Sequence, residues 1–252
     1  MATYTNIGLV KHAEKALSEN TLYMWGGIYR EITENYIQQL YKIYGKTQYS
    51  DARLSKLRSL IGKKYYGIDC VGLIKSYYWS GQSNGGSGSK MYGKSGFPPD
   101  VDANVMYNLA KVKGKIDTIP EIPGIIVYCK TYPHVGVYIG NGEVIESTLG
   151  SRGDGVVKTK LKDFKWEFWF ECPYINYTKS AATVKRVKLA YHAQARKTPS
   201  AKGVNCGQLV PGMWVSVVVG SECIDEDTGY VYIKIKRGGG EQWIVKSALG
   251  KF

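Results

Sequence analysis

At 252 residues, 44% hydrophobic and 22% charged, the chain carries enough apolar material for one sizeable core and a smaller second one, which excludes a wholly disordered protein. A formal net charge of +13 favours polyanionic partners, and no apolar run approaches the roughly 20 residues of a membrane span. The five cysteines, at 70, 129, 172, 206 and 223, are scattered with no close pair of the zinc-binding kind, so no metal, no cofactor and no structural disulfide are expected.

In chain order, MATYTNIGLVKHAEKAL reads as a helical stretch carrying His12. It lacks the basic-then-apolar layout of a secretion signal, so synthesis in the cytoplasm with another route out is expected. YMWGG at 23–27 sets Tyr23 before a glycine turn. Residues 28–66 then read as two amphipathic helices, one near 30–44 with Ile32, Tyr36, Ile37, Leu40 and Tyr44 on one face. The other, near 51–61, carries Leu54, Leu57 and Ile61 and stops at Gly62. The pair reads as an extra packed layer, with a wall of a substrate groove as the alternative.

GIDCVGLI at 67–74 places Cys70 behind an aspartate at the start of an apolar helical run. The field of a helix N-terminus there favours the thiolate, the nucleophilic form. The glycine- and serine-rich stretch 81–96 is too poor in apolar residues to order itself strongly and reads as a flexible loop, either a flap or a connector. A short helix capped by Asp100 or Asp102 follows, then a strand within 120–130.

YPHVGVYIGNGEVIES at 132–147 alternates apolar with small or polar residues around Asn141-Gly142, the signature of a β-hairpin that His134 begins. Of the three histidines, His12 and His192 read as structural, whereas His134 follows the cysteine at the head of a strand. A nucleophilic cysteine needs such a base. Glu146 is the candidate to orient it, subject to strand parity. A plain two-residue turn sets Glu146 opposite Val137, facing away from His134. A three-residue loop with a bulge at Gly142 sets it opposite Gly136 and diagonal to His134, within reach of a long side chain. The bulged form is expected; the other register transfers the role to Ser147 or a backbone carbonyl. Strands near 156–160 and 166–171 complete an antiparallel sheet, with Trp166, Phe168, Trp169 and Phe170 as core and cleft wall. The fold class is α+β.

Small polar residues at 176–183 mark a boundary between 1–178 and 179–252. The second piece is a series of short strands separated by turn residues, expected as a small β-barrel, and is the more basic for its length.

YMWGG, Cys70 in GIDCVGLI and His134 in HVGVYIGNGEVIE, in that order, resemble the NlpC-type, papain-like cysteine peptidases of bacterial cell-wall metabolism. The tail resembles bacterial SH3-type domains through AQAR at 193–196, the turn Gly207 to Gly212 and EQWIV near the end. The first resemblance implies Cys70 as nucleophile, His134 as base, Glu146 as orienting group and Tyr23 bordering the site. Two departures stand out: the 28–66 insertion, and a glutamate where the family often has histidine or a carboxamide. Together the resemblances imply a peptidoglycan hydrolase of the endolysin kind, an endopeptidase or an N-acetylmuramoyl-L-alanine amidase, released from a host cytoplasm to act on the wall. An inactive wall-binding protein and an acyltransferase on the same scaffold are the alternatives. The expected partners are peptidoglycan and the teichoic polymers of a Gram-positive wall, with no nucleic acid and no membrane insertion.

Overall fold

Helix α1 (Asn6–Ser18) begins where Thr5 accepts a hydrogen bond from the Gly8 amide, and its Leu9, His12, Ala13 and Ala16 form one buried stripe. The computed structural model describes residues 4–80, 98–177, 184–218, 221–237 and 240–250. By its contacts the chain divides into two compact units, Met1–Thr178 and Lys179–Phe252.

In the first unit, β1 (Thr21–Tyr23), β2 (Ile28–Glu31) and, after two helices, β3 (Tyr66–Ile68) form a small sheet in the order β1-β3-β2. Strand β3 runs parallel to β1 and antiparallel to β2. Between them lie α2 (Glu34–Gln48) and α3 (Asp51–Arg58). Both start four residues or so later than, or stop short of, the expected bounds for physical reasons. Thr33 caps α2, so Ile32 is buried just outside the helix. The chain leaves α3 at Arg58 through turns that pass Gly62 (φ +79°), which leaves Ile61 39% exposed instead of on a buried face. Gly45, at φ +64°, breaks the last turn of α2.

Helix α4 (Cys70–Trp79) is buried over its entire length, as its nearly unbroken apolar sequence requires. Its only charge, Lys75, pairs with Asp100 at 2.5 Å. Stretch 81–96 lies outside the described residues. Helix α5 (Ala103–Leu109) is capped by Asp102, not Asp100, through the Val105 amide.

The main sheet comprises β4 (Lys113–Lys115), β5 (Ile126–Cys129), β6 (His134–Gly140), β7 (Glu143–Gly150), β8 (Gly153–Lys160) and β9 (Phe168–Phe170) in the order β4-β9-β5-β6-β7-β8, every pair antiparallel. Helices α1 and α4 pack on this sheet, so the architecture is α+β.

The β6–β7 hairpin corrects one expectation while keeping its consequence. Asn141 and Gly142 both have positive φ, +53° and +70°, and Gly140 pairs with Glu143, so the turn itself has two residues. The bulge lies earlier, between Tyr138 and Gly140, where Gly140 takes φ +96°. Beyond it Val137 faces Ile145, and the same register sets Glu146 opposite Gly136, on the face of His134.

The second unit contains β10 (Val184–Lys188), β11 (Ala193–Arg196), β12 (Asn205–Leu209), β13 (Trp214–Val218), β14 (Cys223–Ile224), β15 (Val231–Arg237) and β16 (Gly240–Val245). They form an antiparallel sheet in the order β10-β13-β15-β16-β11-β12, with β14 on β15. Val187, Ala195, Leu209, Val217, Ile233, Ile235 and Ile244 make its core. Among the described residues the pairing is that of an open path and not of a closed barrel.

Candidate active site

The two glycine-bearing motifs, 39 residues apart in sequence, are locked together at the head of α4. Asp69 caps that helix by accepting from the Gly72 amide, and its other carboxylate oxygen accepts from the Gly26 amide at 2.9 Å. The Asp69 amide in turn donates to the Gly27 carbonyl at 3.0 Å. Gly72 approaches that same carbonyl so closely that any side chain at 72 would overlap it. Gly26 holds φ +74° with the Tyr44 ring of α2 against it. The turn after Tyr23 therefore fixes the position of Cys70.

Burial dominates the Cys70 thiol. The residue is 8% exposed, and desolvation, followed by the neighbouring Asp69 carboxylate, pushes its pKa up to about 12 against the pull of backbone amides. This corrects the expectation of a thiolate held by the helix terminus: the resting group is a neutral thiol, which needs a base. The backbone of Val71 and Val135 lies close enough to the sulfur to favour its charge, and Val135 follows His134 directly, so α4 brings the thiol to the start of β6. Tyr23, at the end of β1, is the phenol next to it. Burial above all holds its hydroxyl well above the ordinary range, so it remains a donor.

His134 is gripped on three sides. Its ring stacks on Trp166 at 5.4 Å and 14°, meets Phe164 edge-on at 5.5 Å, and hydrogen-bonds through Nε2 to Glu146 Oε2 at 2.5 Å. Glu146 is fully buried. Arg152 donates from Nε to Oε1 at 3.1 Å and from Nη2 to Oε2 at 3.0 Å, and Thr159 Oγ1 donates to Oε1 at 2.8 Å. Burial opposes the charge, but these three partners outweigh it and hold the carboxyl below its usual range. Ser147, the alternative orienting group, instead donates to the Ile68 carbonyl at 2.9 Å and ties β7 to β3.

A cavity of about 490 Å³ opens over these groups, lined by Tyr23, His134, Arg152, Phe164, Thr148 and Leu149, and by Trp25, Tyr132 and Pro133. Gln48, Tyr49 and Arg53 line it too. The insertion is thus both packed layer, through Tyr36, Ile37, Leu40 and Leu57, and cavity wall. Tyr49 donates to the Trp25 carbonyl at 2.6 Å. Arg53 bonds the Tyr23 carbonyl and pairs with Asp154 of β8, at 2.6 Å from Nη1. Cys70 is not among the lining residues, whereas its neighbours Tyr23 and His134 are. In chemical terms this is a neutral buried thiol, an imidazole oriented by an ionised carboxylate, and a protonated phenol, with Tyr23 and His134 facing one cleft.

No protein-family model matches the sequence, and no curated protein matches it. Among solved structures, the chain is similar to the P60 domain of an antigen from M. avium subspecies paratuberculosis, at 17% identity and a TM-score of 0.38, over 68% of this chain and 98% of that one. It is similar also to Ly7917, at 11% identity and a TM-score of 0.24, over 70% of this chain and 82% of that one. A structure of Ly7917 with the hydrolyzing product of MDP matches at 11% identity and a TM-score of 0.29, over 95% of this chain and 92% of that one.

The other two histidines stand apart from this cluster. His12 is completely buried, with Nε2 2.8 Å from Ser76 Oγ, and His192 is an exposed residue of the second unit. Arg152, Thr159, Phe164 and Trp25 are site residues that sequence patterns did not single out. One signal pointed to the first: Ser151-Arg152 sits between Gly150 and Gly153, which marks a second tight turn six residues after Glu146.

Proposed function

We propose that the chain is a peptidoglycan hydrolase of the NlpC type that cleaves an amide bond of wall peptide with Cys70 as nucleophile. The observation that carries this reading is the 2.5 Å bond from His134 Nε2 to the buried Glu146. It leaves the other ring nitrogen, Nδ1, to serve a thiol that lies beside the backbone of Val135, the residue after His134. The Cys70 proton passes to Nδ1 as sulfur attacks the peptide carbonyl carbon. The carbonyl oxygen takes the negative charge. The Cys70 amide, which as the first residue of α4 has no partner within the helix, and the Tyr23 hydroxyl supply donors to it. His134 then returns the proton to the departing amine, and water, deprotonated by the same ring, hydrolyses the thioester.

The basic second unit is read as an SH3-like wall-binding module, and the whole as an enzyme of the endolysin kind acting on a Gram-positive wall. Cys70→Ala in the full chain is expected to keep the wild-type circular dichroism and to abolish clearing of a Gram-positive wall suspension. Clearing at the wild-type rate would sink the mechanism. Mass spectrometry of wild-type digests names the new terminus, which separates endopeptidase from amidase. Digests that bear no free peptide or amine ends would favour a wall-binding protein instead.

A further inference from the structure

A completely buried carboxylate that shares one oxygen between an imidazole and a guanidinium is an unusual orienting group, and its behaviour depends on the second partner. Glu146 Oε2 receives both His134 Nε2 and Arg152 Nη2. The groups facing Glu146 are His134 from β6, Thr159 from β8 and Arg152 from the turn joining β7 to β8. Only Arg152 brings a permanent charge. Its guanidinium is itself held in place, 4.0 Å over the Phe164 ring and 3.3 Å from Thr148 Oγ1, within a two-residue turn closed by the Gly150–Gly153 pair.

Without that cation, a buried carboxyl beside a neutral imidazole escapes the cost of burial by taking up a proton. A protonated Glu146 donates instead of accepting. The ring nitrogen it faces must then be the unprotonated one, so the imidazole proton moves to Nδ1, the atom that must accept from the thiol. We infer that Arg152 is the positioning residue that keeps Glu146 an acceptor, and so holds the His134 proton on Nε2 and leaves Nδ1 open for the Cys70 proton. The inference rests on the hydrolase reading for its catalytic consequence, but the tautomer itself does not depend on turnover.

The test uses the full chain with Arg152→Gln and Arg152→Lys. In Arg152→Gln the acid limb of the pH profile for wall clearing is expected to move up by about 1–3 pH units, the shift an adjacent guanidinium imposes on a carboxyl. At neutral pH the 15N spectrum of His134 is expected to change from the Nε2–H to the Nδ1–H pattern. Arg152→Lys, which keeps the charge but not the two-pronged geometry, is expected to show a smaller shift of the same sign. A purely structural role would lower the unfolding temperature and leave limb and tautomer where they are, which overturns the inference. If Arg152→Gln does not fold, an unshifted limb and unchanged 15N pattern in Arg152→Lys overturn it equally. A wild-type chain that fails to clear walls rejects the hydrolase reading, while the 15N comparison still decides the role of Arg152.

Discussion

At the residue scale, burial decides what each titratable group does. Cys70 and His12 show the same desolvation with opposite consequences. For Cys70 it suppresses the thiolate and raises the pKa; for His12 it suppresses the imidazolium and lowers it. His12 projects from α1 onto α4, its ring against Tyr29 and Tyr77, with a pKa lowered to about 3 by burial and then by Lys15. Its Nδ1 has no partner among the described residues. The unfolded chain, with a histidine near 6.5, binds this proton over a range where the folded chain refuses it. Stability from this site is therefore fully present above about pH 6.5 and lost as pH falls toward 3. At about 1.4 kcal/mol per pH unit the loss reaches a few kcal/mol. Urea unfolding at pH 7.5 and pH 5 is expected to show a drop for the wild type and a much smaller one for His12→Leu. Equal drops in both proteins would reject the assignment.

At the element scale, the site exists because two turns meet. Asp69 grips the Gly26 amide, and Gly72 admits the Gly27 carbonyl against the first turn of α4. Gly72→Ala forces a methyl group into backbone, which has nowhere to go, unlike a flexible side chain. Overpacking of this kind costs typically 1–3 kcal/mol and more where backbone is struck. The denaturation midpoint of Gly72→Ala is expected to fall accordingly, with wall clearing reduced beyond what the unfolded fraction explains, because α4 carries Cys70. An unchanged midpoint would contradict the close approach.

The same elements show what a sequence can disclose. Cys70, His134 and Glu146 are legible because each belongs to a short periodic segment: an apolar helix start, a strand head, and a position set by parity across a hairpin. Even there the expected place of the bulge is Gly142, while the structure puts it between Tyr138 and Gly140. Parity counts residues, and any one extra residue in the loop or the strand gives the same facing. Arg152 and Arg53 were not legible, because their partners, Glu146 and Asp154, are reached through a turn and through a helix 101 residues away. The bounds of α3 were misjudged because Ile61 fits a helical face on paper, whereas the chain turns toward Gly62 before reaching it. The neutral state of Cys70 was hidden for a different reason. A helix N-terminus can be read from Asp69 and the apolar run, but the desolvation that outweighs it depends on what the fold packs around the sulfur.

At the scale of the whole molecule, charge is the property that no single residue carries. The chain has 34 lysines and arginines against 21 aspartates and glutamates, and several of the acids are ion-paired, some inside the fold and some at its surface. Glu146 is held by Arg152, Asp154 by both Arg53 and Lys56, and Glu34 by Arg58. Pairing leaves the net charge untouched, so the chain as a whole presents a surplus of +13 to its surroundings. A wall rich in anionic polymer attracts such a surface through a field that salt screens, with a Debye length of roughly 10 Å at 0.1 M and roughly 3 Å at 1 M. In the proposed reaction, bond cleavage would run on a buried thiol, a stacked imidazole and a fully buried carboxylate, which salt screens little. The two should separate. Clearing of walls by the intact chain is expected to fall several-fold as NaCl rises from about 0.1 M to about 1 M, while hydrolysis of a small uncharged wall peptide stays nearly constant. Parallel loss in both assays would mean that salt acts on the fold or the site, and equal persistence in both would mean that the basic surplus plays no part in reaching the wall.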